Sequence, residues 1–160
     1  MSETESIDMA GLDREIGFAL RLAQLAVFKD LIACLKPYAL RPAEYSVLVV
    51  VNSNPGLRQL ALGAILSVQG PNLVTMVDQL EARNLILRRQ VPEDRRAHAL
   101  HLTAKGRSLL RQAKTAHAGH QTRLSRCLGQ TSALDLIAIL NRIAAAETWT
   151  SGKSVNPSRT

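Results

Sequence analysis

The sequence predicts a mainly α-helical fold with one small β-hairpin, a compact pair of helices just before that hairpin, and long helices at both ends. Three observations lead there. Hydrophobic residues make up 46% of the 160 residues but aromatics only 3%, so the core is built from Leu, Ile, Val and Ala, which favours helices. Apolar residues recur at spacings of three and four along most of the chain. The exception is Leu85 to Leu102, where two short β-like runs flank a proline and a charged cluster.

Residues 1–10 are polar and acidic and are expected to be flexible. From Leu12 to Leu35 the apolar positions Leu12, Ile16, Ala19, Leu20, Ala23, Ala26, Val27, Leu31 and Leu35 form one helical stripe. Phe18, Leu22, Leu25, Phe28 and Ile32 place further apolar groups on other faces. A helix that is apolar on several faces must be covered on several faces, by its own domain and by a partner chain. Pro37 ends this helix, and Pro42 fits the first turn of a second one that runs through Val51. Asn52-Ser53-Asn54-Pro55-Gly56 is a turn. A short helix is expected from Leu57 to Leu66, a break at Ser67 to Gly70, and a helix from Pro71 to Arg83. Asn84 suits a left-handed cap. Strands are expected at Leu85 to Val91 and Ala97 to Leu102, joined by a charged tip, Pro92-Glu93-Asp94-Arg95-Arg96. Thr103 caps a helix to about Leu128, and a last helix spans about Ala133 to Glu147. Residues 148–160 hold Gly, Pro, Ser and Asn and read as a disordered tail.

Charge narrows the function. Lys and Arg number 20 against 13 Asp and Glu, a net +7, and the pI is near 10.1. That balance points to an anionic partner, most often nucleic acid. Two cysteines, Cys34 and Cys127, are too few for a disulfide scaffold. No signal-peptide pattern opens the chain and no apolar run reaches the ~20 residues of a membrane span, so a cytoplasmic protein without membrane contact is expected. There is no phosphate-binding glycine loop, nucleophile elbow or clustered metal-ligand set, which argues against an enzyme, a cofactor or a metal. His117 and His120 share a helical face but lack a third ligand.

Leu57 to Leu102 carries the functional signal. In a helix-turn-helix the second helix enters the DNA major groove and presents its N-terminal residues to base edges. Leu73, Met76, Val77 and Leu80 would face inward, leaving Gln69, Asn72, Thr75 and Gln79 outward. Gln and Asn can bond adenine bidentately, and Thr can touch a thymine methyl. Gly70 and Pro71 add no bulk and permit close approach. The hairpin tip supplies Asp94, Arg95 and Arg96, and a basic ribbon tip suits the negative potential of the minor groove. A winged helix-turn-helix therefore occupies residues 37–103.

The chain resembles the MarR family of winged helix-turn-helix regulators. The resemblance runs from Leu60-Ala61, through Asn72 to Ile86 including Leu80-Glu81-Ala82-Arg83-Asn84-Leu85, to Pro92-Glu93-Asp94-Arg95-Arg96 and Leu102-Thr103-Ala104-Lys105-Gly106. Asn84 stands where the family usually has Gly, and Gln79 where many relatives carry Arg. The resemblance implies a homodimer, with residues 11–36 and 104–147 as the dimerisation region. It implies a pseudo-palindromic double-stranded operator, with Asp94 and Arg96 as wing residues. It also implies repression relieved by a small effector, an anionic aromatic acid or its coenzyme A thioester. Arg21, Lys36, Tyr38, Arg41 and Tyr45, near the junction of the first two helices, are the effector-contact candidates. Two alternatives remain open: a non-specific architectural DNA binder, recognised by steep salt dependence without sequence preference, and a regulator that senses oxidants through Cys34.

Overall fold

The computed structural model describes residues 8–91 and 94–146, the side chains of 91 and 94–97 excepted. Residues 1–7 and 147–160, the latter including the expected C-terminal tail, lie outside the described residues. The chain divides into two compact units, Met1–Gln121 and Thr122–Thr160.

In the first unit the expected helix from Leu12 is interrupted. Leu12–Arg14 is a 3₁₀ turn and α1 spans Ile16–Leu35, because Glu15 is extended (φ −84°, ψ 129°). A second 3₁₀ turn, Lys36–Tyr38, contains Pro37, and Ala39 reverses the chain in the left-handed region. Helix α2 is Pro42–Ser53, with proline in its first turn, where the missing N–H costs nothing. Glu44 reaches back to accept the Arg41 backbone N–H at 2.7 Å, closing the helix start.

The helix expected from Leu57 gives up its first two residues to a strand. Leu57–Arg58 (β1) pairs antiparallel with β3 (Asp94–Leu102), in register Leu57 to Leu100 and Arg58 to Ala99. Helices α3 (Gln59–Leu66) and α4 (Gly70–Ala82) follow, then β2 (Ile86–Val91). The sheet has three strands in the order β1-β3-β2 rather than the two of a bare hairpin. Strand β3 begins at Asp94, so Asp94, Arg95 and Arg96 belong to the ribbon and not to a loop joining it. The β2–β3 register breaks between Gln90, opposite His98, and Val91, opposite Asp94, so 95–97 lie in the strand at an irregularity in the ladder.

Asn84 adopts φ 56°, as its place after α4 predicts, and its N–H bonds the Glu81 carbonyl at 2.8 Å. Helix α5 spans Ala104–Cys127. Thr103 caps it by accepting the Gly106 N–H at 2.9 Å, while its own hydroxyl donates to the Asn84 carbonyl at 2.7 Å. A Cβ on Gly106 would collide with the Leu85 carbonyl, so glycine here permits the helix to start hard against the β2 entry.

The core of this unit joins Leu35, Val47, Leu48 and Val51 to Leu62, Val77, Leu80, Ile86, Leu100 and Leu110. Each such side chain contributes about 1.5–3 kcal/mol by leaving water. Helix α1 buries Leu35 in that core and packs the partly buried Leu31 and Cys34 against it, while Ile16, Leu22, Leu25, Phe28 and Ile32 stay exposed. The second unit holds α6 (Ala133–Ala144), capped by Ser132, whose hydroxyl accepts the Leu134 N–H at 3.2 Å. Leu134, Ile137, Ile139 and Leu140 are exposed on α6. Among the described residues no single helix is long and apolar enough to cross a membrane.

Candidate nucleic-acid interface

Helices α3 and α4 meet at 114° across the break at Ser67, which takes φ 51°. That angle lies in the helix-turn-helix range of about 90–120°. Leu73, Val77 and Leu80 of α4 are buried and Met76 is half-buried, so this face is consumed by packing. Gln69, Gly70, Pro71, Asn72, Thr75 and Gln79 are all exposed, the polar face expected from spacing. The side-chain amides of Gln69 and Asn72 have no hydrogen-bond partner among the described residues. Thr75, itself exposed, donates its hydroxyl to the Pro71 carbonyl at 3.1 Å. In α3 the buried leucine is Leu62. Leu60, on which the sequence match rests, is 89% exposed.

The electrostatics of this motif are unusual for a DNA-facing surface. No Lys or Arg occurs from Gln59 to Ala82, while α4 carries Asp78 and Glu81. Arg88 of β2 answers both acids, with Nη2 2.6 Å from Asp78 and Nη1 on Glu81, and its backbone N–H donates to Glu81 at 3.1 Å. Its guanidinium also approaches Gln59 Oε1 at 3.4 Å. The strand entering the wing is thereby tied to α4 and α3. Asp94, Arg95 and Arg96 lie at the start of β3, and their side chains are outside the described residues.

A second polar cluster joins α2 to the far end of α4. The Glu44 side chain, only 6% exposed, takes the Arg41 guanidinium at 3.2 Å and that of Arg83 at 3.7 Å. Arg41 Nη2 also donates to Gln79 Oε1 on α4. Arg83 reaches the Tyr38 carbonyl at 3.5 Å, and Lys105 donates to the Arg83 carbonyl at 2.9 Å. Arg41, an effector candidate at the junction of the first two helices by sequence, thus reaches α4 with its guanidinium.

The other effector candidates separate. Arg21 and Lys36 are exposed, Tyr38 is half-buried, and Tyr45 is buried with its ring stacked on His117 at a centroid distance of 4.9 Å. Burial, then Cys34, raises the Tyr45 pKa above its ordinary value. Burial, then His120, lowers that of His117. His120 itself is buried, with Nδ1 2.6 Å from Asp30 Oδ2 on α1. The pattern gave no sign of this pair, because 90 residues separate its members. Among the described residues no group of three or more His, Cys, Asp or Glu could hold a metal. Cys34 is half-buried, Cys127 is exposed, and neither forms a disulfide. A cavity of about 320 Å³ between α2, the sheet and the start of α5 is lined by Val51, Leu87, Arg89, His101 and Arg107 among others, and by none of the five effector candidates.

The profile of the MarR family matches residues 40–98, from the end of the α1–α2 connection into the wing. A candidate transcriptional regulatory protein for the hcr operon of Thauera aromatica is 35% identical over 136 residues, covering 84% of this chain and 80% of that protein. Among solved structures, the transcriptional repressor CouR bound to a 23-mer DNA duplex superposes with a TM-score of 0.83 at 41% identity, over 87% of this chain and 99% of that one. CouR bound to p-coumaroyl-CoA superposes with a TM-score of 0.80 at 39% identity, over 88% and 99%.

Proposed function

The chain belongs to the MarR family of transcriptional regulators, and on that premise we propose that it is a homodimeric repressor released from its operator by an aromatic acyl-coenzyme A thioester. The observation that carries this reading is the exposed face of α4, where Gln69, Asn72 and Thr75 stand uncrowded above a buried Leu73–Val77–Leu80 stripe. Such a face, opened by Gly70 and Pro71, reads bases in a major groove, and Gln79 lies further along it. Asp94, Arg95 and Arg96 on the ribbon serve the adjacent minor groove. CouR, at about two-fifths identity, is a repressor that has been captured both with duplex DNA and with p-coumaroyl-CoA.

Dimerisation is supported by apolar side chains that the single chain leaves in water. Ile16 is 73% exposed and Leu25 57% on α1, and Leu134 is 76% exposed on α6. Uncovered groups in that number on two terminal helices mark an association surface. A two-fold dimer presents two α4 helices to half-sites about one helical turn apart, which calls for a pseudo-palindromic operator. For the effector, the exposed cations Arg21 and Lys36 suit the phosphates of coenzyme A, and the half-buried Tyr38 offers an aromatic face.

The test is a fluorescence-anisotropy titration of the purified protein on its own upstream DNA with random DNA as competitor, with and without p-coumaroyl-CoA. Competitor-resistant binding that the thioester reverses is expected. Equal affinity for all duplexes overturns the repressor reading in favour of an architectural binder, and specific binding indifferent to the thioester overturns the effector class.

A further inference from the structure

We infer that Arg41, presented by Gln79, is a DNA-backbone contact that supplies the recognition helix with positive charge its own sequence lacks. This rests on the reading of α4 as the DNA-facing helix. From Gln59 to Ala82 the helix-turn-helix contains two acids and no base, and the nearby Arg88 is consumed by those acids. A surface of that composition repels the phosphate array unless cations reach it from elsewhere.

Arg41 reaches it. Its side chain is 64% exposed, and Nη2 bonds Gln79 Oε1 on the face that also carries Asn72 and Thr75. Positions 72, 75 and 79 follow the i, i+3, i+7 spacing of one helical face. Gln79 lies seven residues past Asn72, toward the C-terminal end of that face. There a helix whose N-terminus probes the bases approaches the groove wall, where phosphates lie.

The local charge count supports a net cation. Glu44 is shared between Arg41 and Arg83, so two positive charges face one negative. Glu44 is buried and Arg83 is the less exposed arginine, so the unneutralised charge is carried outward by Arg41. The carboxylate and the Gln79 amide hold the guanidinium before DNA arrives, which lowers the side-chain entropy lost on contact. The backbone N–H of Arg41 closes the start of α2 independently of its side chain, so truncating the side chain leaves that cap in place.

The experiment measures duplex affinity against salt concentration for wild type, Arg41→Ala, Arg41→Lys and Gln79→Ala. Arg41→Ala is expected to lower the salt slope by about 0.9 for each subunit engaged, and to weaken operator and random duplex alike, by about eightfold per contact at 0.1 M salt. Arg41→Lys keeps the charge and should retain most of the slope. Gln79→Ala frees the guanidinium and should weaken binding less than Arg41→Ala does. An unchanged slope in Arg41→Ala overturns the inference, as does lost thioester response with intact DNA affinity, which would make Arg41 an effector contact. Wild-type protein without salt-dependent duplex binding would instead overturn the functional reading itself.

Discussion

Nδ1 of His120, on α5, lies 2.6 Å from Oδ2 of Asp30, on α1, and joins the first helix to the helix that follows the wing. His120 is 1% exposed while the Asp30 side chain is 39% exposed, so the ring lies out of bulk water and its partner does not. A buried polar atom left without its bond costs about 1–3 kcal/mol. Asp30→Ala should therefore lower the unfolding free energy in urea denaturation, by up to about that amount where water does not replace the carboxylate. An unchanged midpoint would mean that the pair contributes nothing to stability.

His117 sits beside this pair, stacked on Tyr45 and 5.6 Å from the His120 ring. Burial, then His120, holds its pKa below the ordinary 6.5. As pH falls, the unfolded chain takes up this proton before the folded one does. The contribution to stability is complete above about pH 6.5 and is lost as pH falls through the lower folded-state value. Replacing His117 with Phe should flatten the fall in stability on acidification relative to wild type. Parallel pH profiles for the two proteins would contradict this.

Gly106 fixes how closely α5 approaches the entry to β2. Any side chain there meets the Leu85 carbonyl, a backbone atom that cannot rotate aside. Overpacking of this kind typically costs 1–3 kcal/mol, and Gly106→Ala should fall at or above about that range in chemical denaturation. Because Thr103 bonds Asn84 at the same corner, the variant should also loosen the wing, seen as faster amide exchange at Leu85 and Ile86.

The parts of the fold legible in the sequence are those governed by local chemistry. Pro37 and Pro42 bracket the α1–α2 connection, Asn84 takes the left-handed cap, and Thr103 caps α5, each for a reason contained within a few residues. Strand β1 was not legible, since two residues carry no periodicity and Leu57–Arg58 become a strand only by pairing with β3 more than 40 positions later. The start of β3 at Asp94 was hidden for a similar reason, because charge reads as loop where the strand resumes its pairing, Asp94 with Val91, past an irregularity. At the candidate site, the outward set Gln69, Asn72, Thr75 and Gln79 followed from helical spacing alone. The Arg41–Gln79 and Asp30–His120 contacts did not, because they join residues 38 and 90 positions apart.

Base reading by α4 is tested most directly by the ratio of operator to random-duplex affinity in Asn72→Ala against wild type. A lost bidentate base contact is worth about 1–3 kcal/mol of discrimination, so the ratio should fall by roughly 5- to 150-fold while random-duplex affinity holds. An equal loss on both duplexes would reduce Asn72 to a backbone contact. No preference in the wild-type protein would contradict sequence-specific recognition by this helix altogether.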